Sequence, residues 1–129
     1  MRHSTRVIHT LTHARVPFFT ATLRKSYGLA HFAMGGRPLG ASMVVAWPTA
    51  EYGAMGPEGA AKVLSGEDGI EAEREHSMAL RRTGASLRMA EIFAIDDMID
   101  PAETRGTLGD WLAAVMPATK PSHRPVDPW

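Results

Sequence analysis

Apolar residues first gather at Val16–Leu23, where VPFFTATL combines aromatic and β-branched side chains over the length of one buried strand. Arg24–Tyr27 lead to Gly28, and residues 29–35 (LAHFAMG) have helical composition, so the pattern predicts a strand, a glycine turn and a helix start. GRPLG at Gly36–Gly40 punctuates the chain. Met43–Pro48 predicts a second strand, closed by its proline, and Glu51–Met55 a short third one. Gly56-Pro57-Glu58-Gly59 is a turn that launches a helix, with Pro57 near the first helical position, where a missing N–H costs nothing. Residues 67–83 predict a solvated helix whose Glu-first, Arg-last order suits the helix dipole. A short helix is expected over 86–93, with Met89, Ile92 and Phe93 as its apolar face, followed by a strand at Ala94–Ile99. Asp100, Pro101 and Glu103 then signal another helix start, and Leu108, Trp111, Leu112 and Val115 form an apolar stripe along that helix up to Pro117. Upstream, Val7, Ile8 and Leu11 sit at helical spacing, as in the tail of a helix over residues 1–15. Strands alternating with helices predict an α/β arrangement in one domain over 1–116, with a Pro-rich arm at 117–129. No internal repeat is visible.

Composition narrows the chemistry. The 129 residues are 44% hydrophobic, enough for a real core. The absence of cysteine excludes disulfides, thiolate zinc sites and thiol nucleophiles, and it fits a reducing compartment. No apolar run approaches the ~18 residues of a membrane span, so no membrane partner is expected. The Arg-rich, acid-free start admits a transit-peptide reading, against which strand-like patterning begins by Val16. The expected location is cytoplasmic, with the mitochondrial matrix as the alternative. Formal charge is zero, but residues 1–50 carry +6 and the remainder −6. That basic half attracts anionic ligands, such as the phosphates of a nucleotide-containing cofactor, or simply attracts the acidic half. Nucleic acid is not expected, because the Lys and Arg residues are scattered with few aromatics among them.

Few side chains stand out as chemical groups. His9 and His13 share a helical face four residues apart, but no third ligand stands in place, so they read as ordinary surface or interface histidines and no metal is expected. There is no nucleophile elbow, no HExxH and no phosphate-binding glycine loop. The Gly28 junction is the best candidate. Peptide N–H groups at a helix start lack intrahelical partners and, aimed at one point, stabilise an oxyanion. Spacing alone leaves this reading open beside a plain structural turn.

Three segments carry a more specific likeness. Arg24–His31 (RKSYGLAH) resembles the RKAYGGAY segment of the carboxyltransferase β subunits of propionyl-CoA and methylcrotonyl-CoA carboxylases. Trp47–Glu51 (WPTAE) and Met55–Ala60 (MGPEGA) resemble that family's AWPTAE and VMGPEGA, and Asp96–Arg105 (DDMIDPAETR) resembles its VDDVIDPAETR. The resemblance runs from about Ile8 to Met116 and implies the C-terminal half of a crotonase-like domain, a spiral of β-β-α units.

It also implies a reaction. A carboxyl group moves from carboxybiotin, held on a partner carrier protein, to the α-carbon of an acyl-CoA such as propionyl-CoA. Carboxybiotin releases CO2, the thioester loses its α-proton to become an enolate, and the enolate attacks; the biotin urea takes the proton, so no side-chain base is required. Charge develops on two oxygens, each met by a pair of backbone amides. One pair belongs to the N-terminal half of the family's subunit. The other aligns with Leu29 and Ala30 after Gly28, on the biotin side, with His31 in place of the family's aromatic and Phe32 at a position that lines the acyl pocket.

The chain departs from the family at Leu29, where glycine is usual, so its side chain is expected either to crowd biotin or to impose a different dihedral. Gly84-Ala85-Ser86 replaces an NPY segment, and Lys62–Arg82 is diverged. The implied partners are an acyl-CoA, a biotin carboxyl carrier or biotin carboxylase subunit, and either a chain bearing the N-terminal half or a second copy. Two readings follow: a carboxyltransferase component that is inactive without its partner, and a non-catalytic assembly or regulatory module that keeps the fold.

Overall fold

The computed structural model describes residues 2–14, 16–66 and 69–116. After an N-terminal helix α1 (Arg2–His13), the chain runs through two β-β-α units. The first is β1 (Phe19–Thr22), β2 (Lys25–Tyr27) and α2 (Gly28–Ala33); the second is β3 (Met43–Ala46), β4 (Glu51–Gly53) and α3 (Pro57–Ser65). A helical excursion follows, α4 (Ile70–Thr83) and α5 (Ser86–Glu91), and then β5 (Asp97–Met98), a 3₁₀ turn at Pro101–Glu103 and α6 (Thr104–Val115). Corresponding strands stack in parallel. One sheet has the order β1-β3-β5 and the other pairs β2 with β4, with Phe19 opposite Met43 and Lys25 opposite Glu51. Each unit therefore lays its first strand on the previous unit's first strand and its second on the second, which makes a spiral.

The core sits under the second unit. Val44, Ala46, Ala50, Tyr52 and Ile95 pack together, with Ala41, Met89 and Ala90 closing the cluster. The buried run Val44-Val45-Ala46 is what a strand covered on both faces requires. Asp96 ties β5 to this strand twice: its carboxylate accepts from the Val44 amide at 2.8 Å, and its own amide donates to the Val44 carbonyl at 2.7 Å. Burial alone would raise the Asp96 pKa, but the Val44 amide and the paired Arg37 guanidinium outweigh it and hold the carboxyl below its usual range. Trp47 donates to Thr104 at 2.9 Å, and Trp111 meets Phe19 at 5.5 Å, so α6 is fastened across the sheet.

Several expectations change. The strand at 16–23 is shorter, because Pro17 cannot donate to a ladder and the chain bends at Arg24 to enter the other sheet. The Ala94–Ile99 strand reduces to β5, since Ala94 and Ile95 donate back to the Met89 carbonyl. Of the apolar face expected on 86–93, only Met89 joins the core; Ile92 and Phe93 end α5 in solvent, with Phe93 82% exposed. The stripe on α6 is rotated: Trp111 and Val115 are half-buried, whereas Leu108 and Leu112 face outward. The signal at Asp100 holds, its side chain accepting from the Ala102 amide at 2.8 Å, but the first turn it caps is 3₁₀. The helix expected over 67–83 begins at Ile70. The Pro-rich arm, 117–129, lies outside the described residues.

Candidate active site

The Gly28 junction forms as the sequence predicts. Tyr27 ends β2 in extended conformation, Gly28 turns with φ +56°, and α2 starts at once. A side chain at Gly28 would meet two penalties: the left-handed conformation, and a Cβ placed 2.8 Å from the Ala54 carbonyl oxygen. The next amides, Leu29 and Ala30, occupy the first helical turn, where N–H groups have no intrahelical acceptor.

Beside this turn lies an open cleft of about 460 Å³, walled by β1, β2 and α2; Thr20, Thr22, Ser26, Ala30, His31 and Met34 line it. Arg24 and Lys25 also border it, so its rim is basic. Ser26 Oγ and His31 Nδ1 are 2.8 Å apart. Burial lowers the His31 pKa, which favours the neutral imidazole. Its ring meets Tyr52 edge-on at 5.5 Å and Phe32 at 5.3 Å. On the β1 wall of the cleft, Thr20 donates to the Gly35 carbonyl at 2.6 Å and anchors the end of α2 to β1.

A polar clamp holds the turn from below. The Tyr27 hydroxyl donates to Glu51 Oε2 at 2.7 Å, Arg81 donates to Glu51 Oε1 at 2.8 Å, and Arg81 also pairs with Glu58. Burial, then the hydrogen bond to Glu51 and its charge, push the Tyr27 pKa up to about 12. Four elements meet here: β2, β4, α3 and α4. Sequence reading did not single out this clamp, although Tyr27 and Glu51 stand within the two motifs that carry the likeness. Gly84 closes the same junction. Its carbonyl accepts from Tyr52 N at 2.8 Å, and a Cβ there would lie 2.0 Å from the Tyr52 oxygen.

The site residues named from the sequence divide into two groups. Gly28 makes the turn, while Ala30 and His31 line the cleft. Leu29 is helical and 63% exposed, with no positive φ, and its side chain lies outside the cleft lining; Phe32, 41% exposed, also lies outside it. Leu29 therefore adopts no unusual dihedral. His9 and His13 stack at 4.1 Å, and no group of three metal-ligating side chains occurs among the described residues.

The carboxyl transferase domain family matches residues 1–126. The methylmalonyl-CoA carboxyltransferase 12S subunit of Propionibacterium freudenreichii subsp. shermanii is 37% identical over 98% of the chain and 25% of its own length. The propionyl-CoA carboxylase carboxyltransferase subunit of Haloferax mediterranei is 36% identical over 84% of the chain and 22% of its own length. The crystal structure of a transcarboxylase 12S hexamer with hydrolysed methylmalonyl-CoA bound superposes with a TM-score of 0.84 at 36% identity, covering 98% of this chain and 25% of that one. The chain thus spans about a quarter of the length of the curated relatives it matches. Its two stacked units are the partial crotonase-like α/β fold that the motifs imply. With motif, spiral and superposition in agreement, this chain belongs to the carboxyl transferase domain family.

Proposed function

We propose that this chain is the C-terminal part of a biotin-dependent acyl-CoA carboxyltransferase, transferring a carboxyl group to the α-carbon of a propionyl-CoA-like acyl-CoA. The observation that carries the reading is the Gly28 turn. It sets the Leu29 and Ala30 amides at a helix start beside a cleft with room for a small ring system. Two backbone N–H donors converging there would hold a developing oxyanion on the biotin side, as the resemblance implies. Carboxybiotin, delivered by a partner carrier protein, would supply the carboxyl group and the proton acceptor. That division of labour agrees with the lack of a catalytic side-chain set. The Tyr27–Glu51–Arg81 clamp fixes the turn, and the basic rim at Arg24 and Lys25 attracts anionic ligands.

A second amide pair would come from a preceding half, as the resemblance implies. In the sheets described, β1 and β2 each pair on one side only, so the spiral presents two parallel edges to an earlier unit. We assign those edges to an N-terminal half, and Leu29 and Phe32 are exposed on the same unit. Leu29→Gly then tests the amide site: turnover in the completed enzyme rises if the side chain crowds biotin, and an unchanged rate removes crowding as an explanation. The non-catalytic reading is favoured by the departures from the family pattern, first among them Leu29 within the motif.

The deciding experiment is affinity capture of the chain from its native host, with a biotin blot and a carboxyl-transfer assay on the captured complex. Co-purification with a biotinylated protein and turnover of an acyl-CoA is expected. A self-associated species without biotin protein or turnover overturns the catalytic reading in favour of the assembly module. A reducing compartment, cytoplasm or mitochondrial matrix, suits the cysteine-free chain. Among the described residues no helix is long and apolar enough to cross a membrane.

A further inference from the structure

The polar clamp beneath the Gly28 turn is assembled from unlike parts of the chain. Three of its members stand in the motif segments: Tyr27 in RKSYGLAH, Glu51 in WPTAE and Glu58 in MGPEGA. The fourth, Arg81, stands near the end of α4, within the diverged stretch Lys62–Arg82. Two carboxylates therefore converge, and the cation between them comes from a helix that departs from the family pattern. We propose that Arg81 is a positioning residue for the Leu29 and Ala30 amides, acting on them through Glu51 and Tyr27.

The route from helix to turn is short and continuous. Arg81 Nη1 donates to Glu51 Oε1 at 2.8 Å and Nη2 pairs with Glu58, so one planar fork spans both carboxylates. With Oε1 held by Arg81, Oε2 is turned to accept from the Tyr27 hydroxyl at 2.7 Å. Parallel pairing sets Lys25 opposite Glu51 and Tyr27 opposite Gly53, which puts Tyr27 and Glu51 on one face of the sheet. The Tyr27 ring lies against two glycines, 3.8 Å from the point where a Gly53 Cβ would stand and 3.7 Å from that of Gly56. Packing thus holds the body of the ring, and the bond to Glu51 holds its end. One peptide bond further on, Gly28 turns the chain and directs the next two amides. Without Arg81, two like charges share a site with no fork between them, and Glu51 relieves the repulsion by turning from Tyr27. Arg81 and Glu51 are both partly exposed, so their pair adds little to stability; its effect is on where the turn points.

The consequence for turnover rests on the carboxyltransferase reading, whereas the geometric claim stands apart from it. The full chain carrying Arg81→Gln is compared with the parent by amide NMR. We expect the Tyr27, Gly28, Leu29 and Ala30 resonances to move while those of β3 stay in place. Arg81→Lys, a point charge that still reaches Glu51, should move them less. Arg82→Gln, which removes the same charge one position on, should leave them unmoved. Added to Glu51→Gln, Arg81→Gln should displace Leu29 and Ala30 no further, because its route passes through that carboxylate. Unmoved Leu29 and Ala30 resonances in Arg81→Gln, or additive displacements in the double variant, overturn the proposal. If circular dichroism shows that Arg81→Gln unfolds α4, Arg81→Lys takes its place, and unmoved resonances there overturn the proposal likewise. In the captured complex, Arg81→Gln should lower kcat roughly tenfold, part of the ~10²–10³ that losing an oxyanion donor costs, with KM for the acyl-CoA unchanged; an unchanged kcat in an active complex also overturns it. Moved amides in a chain whose parent complex shows no turnover keep this proposal and lose the carboxyltransferase reading; an active parent complex with unmoved amides does the reverse.

Discussion

The two β-β-α units share a layout and differ in how well they are covered. In the second unit, β3 is paired on both sides, by β1 and β5, and Val44, Val45 and Ala46 are fully buried. In the first, β1 and β2 each have one partner strand among the described residues, and α2 buries no residue at all. Leu23, Leu29, Phe32 and Met34 of that unit are exposed, yet it carries the Gly28 turn and most of the cleft wall. The stable unit thus serves as a frame. The unit with chemical potential is the one left open, where a ligand or a preceding unit can reach the backbone.

That contrast is broken most severely at Gly84. Adding a Cβ 2.0 Å from the Tyr52 oxygen forces backbone apart at the seam of β4, so Gly84→Ala should cost more than ~3 kcal/mol and remove cooperative thermal unfolding followed by circular dichroism. Next, Ile95→Ala in the frame should cost about 2–5 kcal/mol, whereas Leu29→Ala in the open unit should stay within about 0.5 kcal/mol. Denaturant titration of both variants checks the difference. Similar costs would mean that α2 is covered in solution by another copy.

Gly28→Ala falls between these in severity and differs in reach. The left-handed conformation alone costs roughly 1–2 kcal/mol for an L-residue, and the Ala54 carbonyl adds a close contact. Hydrogen exchange should quicken in β2 and α2 while β3 stays protected; loosening of β3 as well would join the two units into one cooperative block.

The smallest effects are in pH dependence, and they separate the units by window. His31, in the open unit, has its pKa lowered by burial. Its folded form binds fewer protons than the unfolded chain, so its stability contribution is complete above the ordinary histidine pKa of about 6.5 and is lost as pH falls below it. Asp96, in the frame, is also lowered, despite burial, by the Val44 amide and Arg37. Its contribution is present above roughly pH 4 and disappears on further acidification. Acid unfolding should therefore begin around α2 near pH 6 and reach β3–β5 only near pH 4, as read by residue-resolved NMR. At the alkaline end Tyr27, raised to about 12, should remain protonated where free tyrosine ionises. Glu51→Gln removes the carboxylate that helps hold it there and should lower its transition in ultraviolet titration.

Local chemistry accounts for what could be read early. Pro57 and Asp100 start helical turns because a missing N–H and a short carboxylate suit those positions wherever the chain places them. Gly28 turns because no other residue takes that φ so cheaply. The alternation of strands and helices and the motif around Gly28 were likewise legible, since each is carried by neighbours in sequence.

Tertiary structure alone decided which apolar residues are buried and which polar residues meet. Lys25–Tyr27 has one apolar residue and no period of its own; it is a strand because Glu51–Gly53 lies beside it. Ile92, Phe93 and Leu108 satisfy a helical pattern but find no surface to cover, because the pattern specifies a face and not its neighbour. The Tyr27–Glu51–Arg81 clamp joins residues 24 and 30 positions apart, and the Ser26–His31 pair needs the Gly28 turn to bring strand and helix together. Propensity acts over a few residues, whereas the cleft is made by pairing across the spiral, so the sequence by itself determined where the chain bends and the stacking of its units determined what stands at the bend.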